Sequence, residues 1–276
     1  MIFESMEQKM KNIRNDSLII LNKIMPKLRL VFLLLVLLIP LTSRGQISVM
    51  DREYYPDLYI GVIGGYGLNT YKGTYTTFES TNECGKFTDG DGSGILFGVK
   101  AEYILSHRFN LYGSMVYEDR SGDFNASSQK APVFMGDNLP LQTATLEQQL
   151  KVNLVYLSIS PLIKYKPFDI DLGILLGPSF NFIIHDEITQ TENIIAPQTL
   201  YYLNGSKSRQ VISGKISSKN SLLIDLKAGI SYGFIVDEYK ISPEIFYSLP
   251  MMKVTSDSDW KISGLQFLVS FSYGLK

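Results

Sequence analysis

The chain has 276 residues, 45% of them apolar and 19% charged, with a formal net charge of −1. That composition excludes a disordered chain, and the absence of any Lys/Arg block argues against a nucleic-acid partner. One cysteine and two histidines exclude an internal disulfide and Cys-rich zinc sites, and leave little material for metal or general-base chemistry.

Taken in chain order, the first element is an apolar run, Leu30 to Leu41, preceded by Lys27 and Arg29 and followed by the small residues Ser43 and Gly45. The run is shorter than the ~20 residues of a spanning helix. It reads as a secretory signal peptide within residues 1–45, cleaved before Gln46. Residues 1–24 read as an upstream extension, with Met25 as the start. Taking away the seven Lys/Arg and three Asp/Glu of that segment leaves 19 basic and 24 acidic residues, a mildly acidic mature chain. The expected mature N-terminus is Gln46, to within a residue or two. N-terminal sequencing that still found Leu30 to Leu41 in the envelope protein would reject this.

Residues 46–56 are expected to form a short N-terminal segment and 57–276 a single β-domain. Period-two alternation, the signature of a strand with two different faces, recurs eight times. The strands are expected at 58–68, 95–104, 109–120, 152–165, 168–182, 222–234, 239–247 and from 265 to the end. In 168–182 the even positions are all apolar. The odd ones are Asp169, Asp171, Gly173, Leu175, Gly177, Ser179 and Asn181. In 222–234, Leu222, Ile224, Leu226, Ala228 and Ile230 oppose Asp225, Lys227, Gly229 and Ser231. Short connections at 105–108, 166–167 and 235–238 alternate with long ones at 69–94, 121–151, 183–221 and 248–261. Short turns at one end and long loops at the other are the pattern of outer-membrane barrels.

Alternation alone does not say which face is outside. A soluble lipocalin-like barrel buries its apolar face, and a membrane barrel shows that face to lipid. The polar face carries Lys100, Glu102, Glu118, Arg120, Lys164, Asp169, Asp171, Asp225, Lys227, Lys240 and Glu244 among many glycines and serines. Paired charges between small residues suit the narrow interior of eight strands. The expected fold is therefore an all-β, eight-stranded antiparallel up-and-down transmembrane barrel with long extracellular loops and short periplasmic turns. The lumen charges Lys100, Glu102, Glu118, Arg120, Lys164, Asp225, Lys227, Lys240 and Glu244 are expected to form a structural network that ties the strands together rather than a conducting path.

The runs Tyr156-Leu157-Ser158-Ile159-Ser160-Pro161-Leu162-Ile163-Lys164-Tyr165-Lys166 and Leu172-Gly173-Ile174-Leu175-Leu176-Gly177-Pro178-Ser179-Phe180 resemble the PorT-like outer-membrane β-barrel family of Gram-negative bacteria. The resemblance covers roughly 57–276. It implies an eight-stranded barrel in the outer membrane and no catalytic residues.

Other motifs take plainer readings. Asp89-Gly90-Asp91-Gly92-Ser93-Gly94 imitates the start of a calcium loop, but its twelfth position is Lys100 rather than Glu, so it reads as a glycine-rich surface loop. His185, Asp186 and Glu187 read as rim residues. His185 and Asp186, adjacent on a strand, cannot both face the lumen. His107 reads as part of a short turn, and Cys84 as a solvated bystander in the first long loop. No catalytic, cofactor or metal site is expected. The expected role is non-enzymatic: structural, adhesive or secretion-accessory, through surface loops. The alternatives are an outer-leaflet lipid-active enzyme or a small-solute channel. Expected partners are outer-membrane lipid, the barrel assembly machinery and envelope or secretion proteins, with no nucleic acid.

Overall fold

The computed structural model describes residues 56–76, 86–125, 128–133 and 142–275. The expected signal segment, Gln46 and Cys84 lie outside the described residues. Twelve strands follow one another: β1 (Leu58–Thr76), β2 (Lys86–Ile104), β3 (Phe109–Asp119), β4 (Gly122–Asn125), β5 (Gln129–Val133), β6 (Gln142–Tyr165), β7 (Leu172–Ala196), β8 (Ser208–Gly214), β9 (Leu222–Tyr232), β10 (Phe234–Val236), β11 (Tyr239–Pro250) and β12 (Lys261–Leu275). All pairings are antiparallel. β1 pairs β2, β2 pairs β3, and the order continues through β6, β7, β9, β11 and β12 back to β1. The ring is an eight-stranded up-and-down barrel, as the alternation predicts. Closure matters because a closed sheet leaves no edge of unpaired amides.

The question left open by the sequence is settled by side-chain direction. On every ring strand the outward positions are apolar, glycine or proline over nine to eleven residues: 58–68, 95–103, 109–117, 157–165, 172–182, 222–232, 239–249 and 265–275. No charged side chain interrupts this belt. Ile60, Val62, Phe97, Met115, Ile163, Ile174, Ile230, Ile245 and Val269 are all exposed on it. At the strand tilt of such barrels the belt is ~25 Å tall. The charges face inward. This is the polarity of a barrel facing lipid, the inverse of a soluble one.

At the short-turn end the connections are 105–108, 166–171 and 237–238. The second is longer than expected. The alternation Phe168, Asp169, Ile170, Asp171 runs on in sequence, yet 168–171 form the turn and β7 begins only at Leu172. Asp237 adopts φ 53° in the two-residue turn between β10 and β11, the left-handed backbone such turns require.

At the other end the expected long loops are largely strand. β1, β2, β6 and β7 run well beyond the belt, at 19, 19, 24 and 25 residues. β5 and β8 flank the extended β6–β7 pair. Residues 89–94 are therefore not a loop. They are extended within β2, paired to Lys72 and Thr70 of β1 and to Asp123 of β4.

The polarity of β6 inverts along its length. In the belt its odd positions are apolar and point out. Above the belt the even positions Ala144, Leu150, Val152 and Leu154 are apolar and buried, while Gln149 and Lys151 point out. In β7 a bulge opposite Val155 and Tyr156 shifts the register at Ile184. Even positions point outward before it, and odd positions after it.

Candidate functional site

The barrel interior is filled in layers. Nearest the short-turn end lies an ionic layer. Lys100 Nζ meets Glu244 Oε1 at 2.6 Å, and Glu102 sits between Lys240 at 2.8 Å and Lys164 at 3.1 Å. Asp171 bridges the same two lysines, at 3.1 Å to Lys164 and 2.6 Å to Lys240. Asn110 donates to Glu102, and Tyr112 and Ser270 donate to Glu244. Three bases thus face three acids.

Above it is an apolar layer of Ile63, Leu96, Tyr112, Val116, Leu162, Leu175, Phe246 and Leu268. Leu175, the one large apolar residue on the otherwise polar face of 168–182, belongs here. A second ionic layer follows. Glu118 accepts from Arg120 at 2.7 and 3.0 Å, from Gln266 at 3.0 Å and from Lys227 at 3.4 Å. Asp225 lies 3.7 Å from Arg120. Two bases face two acids. Four of the cations also lie over aromatic rings at 5.1–5.3 Å: Lys240 on Tyr59, Lys100 on Tyr112, Lys227 on Phe246 and Arg120 on Tyr156.

The mouth at the long-strand end is closed by an aromatic and aliphatic plug that includes Tyr71, Phe87, Phe124, Val152, Ile188, Ile216, Val254 and Trp260. Trp260 is fully buried and packs on Tyr71, Tyr75 and Phe124 with ring centroids 6.1, 5.0 and 5.9 Å apart. The Tyr71 hydroxyl donates to the Arg120 carbonyl, joining plug to ionic layer.

All nine lumen residues expected from the sequence face the interior, and Asp171 joins them. They divide into two groups, which the sequence did not reveal. Lys227 finds Glu118 of β3, three strands away around the ring. Asp169 is a correction: it stands in the exposed turn, 2.9 Å from His107 Nε2. The hydrogen bond from His107, and then its charge, hold the Asp169 carboxyl below the usual range. His107→Ala should return the Asp169 titration upward to the ordinary carboxylate range. Carboxylate-carbon NMR checks this, and an unmoved titration would mean the pair does not form in solution.

Beyond the belt two further groups appear. Asp186 turns inward, as its bulged strand dictates. It accepts from the Ile216 amide at 2.9 Å and from Lys219 Nζ. This fixes a strap, 215–221, across the barrel mouth, with Ile216 in the plug. On the inner face of the extension, Glu192 accepts from Gln148 at 2.5 Å, Tyr202 at 2.7 Å and Arg209 at 2.9 Å. Burial, reinforced by the bond to Glu192, pushes the Tyr202 hydroxyl up to about 12. Neither group was anticipated. Their one signal was the alternation Asp186, Ile188, Gln190, Glu192, Ile194, which reads as mixed polarity until the bulge is known. His185 points outward, away from Asp186.

No family model matches the chain, and no curated protein matches it. Solved structures do. The chain is similar to Ail, the attachment invasion locus protein of Yersinia pestis, in complex with the heparin analogue sucrose octasulfate: 11% identity, TM-score 0.32, covering 79% of this chain and 99% of that one. It is similar to Neisserial surface protein A at 7% identity and TM-score 0.33, covering 79% and 97%. It is similar to the outer membrane protein OprG of Pseudomonas aeruginosa at 10% identity and TM-score 0.37, covering 82% and 99%. The barrel itself is read from this chain's own strand pairing.

Proposed function

We propose that the chain is a non-enzymatic barrel of the Gram-negative outer membrane. It acts through the strand extensions and hairpins above the belt, in a structural, adhesive or secretion-accessory role. The observation that carries this reading is the filled interior. Two charge-balanced ionic layers, an apolar layer and an aromatic plug leave side chains, not a conduit, along the axis. A rigid scaffold with a filled lumen places function on what projects from it. The belt supports insertion in lipid, and the PorT-like motifs of β6 and β7 lie within that belt but for Tyr156 and Lys166 at its two edges. Surrounding lipid and the barrel assembly machinery are the partners this reading requires, with envelope or secretion proteins as further candidates.

The test removes the projecting hairpin. Replacing residues 197–207 with Asn-Gly should leave heat-modifiable gel mobility and membrane fractionation intact, and should abolish surface attachment or secretion. The alternatives have their own signatures. Loss of a lipid modification on His185→Ala would point to an enzyme. Stepwise conductance of the intact chain in planar bilayers would point to a channel.

A further inference from the structure

We propose that the outer face of the β6–β7–β8 extension docks the sugar headgroups of the glycolipid surrounding the barrel. The inference rests on the outer-membrane reading above. β6 carries one outward row, from the exposed belt residues Ile163 and Ile159 up to Gln149, covered only at Val155, opposite the β7 bulge. The face that meets lipid therefore continues upward as the same face, without turning away. Its chemistry changes from apolar to polar, through Asn153, Lys151 and Gln149. Gln149 stands opposite Thr191, and Thr191 opposite Gln210; Asn193 stands opposite Ser208, and Thr189 opposite Ser213. On β6 and β7 three charged residues share this face, Lys151 opposite Thr189, Glu147 opposite Asn193 and Glu187 opposite Asn153, while Arg209 pairs with Glu192 and Lys219 with Asp186 on the other face. The amides and hydroxyls outnumber those charges and offer sugar hydroxyls both donors and acceptors.

Height selects the occupant. The exposed Ile184, at the bulge, is the last apolar residue of the outward row that the β7 belt begins. At ~3.3 Å per residue and a tilt near 40°, Thr189 lies about 13 Å above it and Asn193 about 23 Å. A phospholipid headgroup layer reaches only ~5–8 Å beyond the hydrocarbon. Only a lipid bearing several sugars extends far enough to lie against this face. The bulge at Ile184 is what keeps it available: without the parity shift, Ile188, Gln190 and Glu192 would point outward in its place.

The full chain can be placed in vesicles of phosphatidylethanolamine and phosphatidylglycerol, alone, with lipid A, or with lipopolysaccharide that carries its core sugars. Backbone hydrogen exchange is then followed in 187–193 and in 208–214. We expect exchange at least fivefold slower with the core-bearing glycolipid than in the other two membranes. The effect should vanish in the variant Thr189→Ala, Thr191→Ala, Gln210→Ala, whose retained heat modifiability shows that it folds. Equal exchange in all three membranes, with belt strand β9 protected throughout, would overturn the docking face and leave the outer-membrane reading standing. Slowing by free core oligosaccharide over plain phospholipid would overturn the membrane glycolipid as the source. Unprotected β9 amides in every membrane would bring down the outer-membrane reading, and the docking face with it.

Discussion

Glu118→Ala should destabilise the barrel by about 3–5 kcal/mol, the range for breaking a buried ion pair from one side. Glu118 is fully buried and accepts from Arg120, Lys227 and Gln266. Its removal leaves two desolvated cations facing the single carboxylate of Asp225. The cost comes from those stranded charges rather than from the lost attraction, and a paired change separates the two. Replacing Lys100 with Met and Glu244 with Gln together removes a pair joined at 2.6 Å. The double variant should cost much less than either single change, because no charge remains buried alone. Urea titration of chains refolded into phospholipid vesicles measures all four. If Glu118→Ala lay within about 1 kcal/mol of the parent, the interior charges would have to be solvated by water. The filled-lumen reading would then give way to a channel.

Leu226→Arg should cost roughly 2–4 kcal/mol, the penalty for a cation at mid-depth on the lipid face of a barrel. Leu226 is 41% exposed and lies at the middle of β9, opposite Pro178 of β7 and Leu249 of β11. Its neighbour Lys227 points the other way, 3.4 Å from Glu118 and over the Phe246 ring. Lys227→Ala meets no lipid penalty. It leaves Glu118 with Arg120 as its remaining cation and opens a cavity against Phe246. The decisive comparison is between media: the Leu226→Arg penalty should appear in lipid vesicles. A harmless Leu226→Arg beside a Lys227→Ala that abolishes folding would mean that the apolar belt is buried against something other than lipid.

The belt was legible because lipid on one side and a narrow lumen on the other impose strict alternation, as in Leu222 to Tyr232. The nine lumen residues followed from the same alternation. Their pairings did not, because Glu118 and Lys227 meet only through the stagger of a closed ring, which no local pattern encodes. The strand extensions were missed for a different reason. In Gln142–Leu154 alternation persists, but its apolar set has changed from odd to even positions, so the segment reads as the end of one strand and the start of a loop. Phe168–Asp171 shows the converse error. There alternation continues through a turn whose Asp169 answers to His107 rather than to the lumen.

The inversion on β6 also fixes how deep the molecule sits. Within a few residues, at Val152 to Leu157, the strand changes from one arranged for water outside to one arranged for hydrocarbon outside. Its neighbours change at the same level: outward polar residues begin at Thr70 on β1, Ser93 on β2, Asp119 on β3 and Ser263 on β12. Sinking the barrel by one pleat would draw this ring of polar side chains into hydrocarbon. Raising it would expose the aromatic row at the other rim, Tyr103, Phe109, Tyr165, Tyr239 and Tyr273, to bulk water. A closed eight-stranded ring cannot absorb a change of membrane thickness by changing its tilt, as a lone helix can. The lipids beside it must stretch or compress instead, so the barrel imposes its own thickness on the bilayer around it.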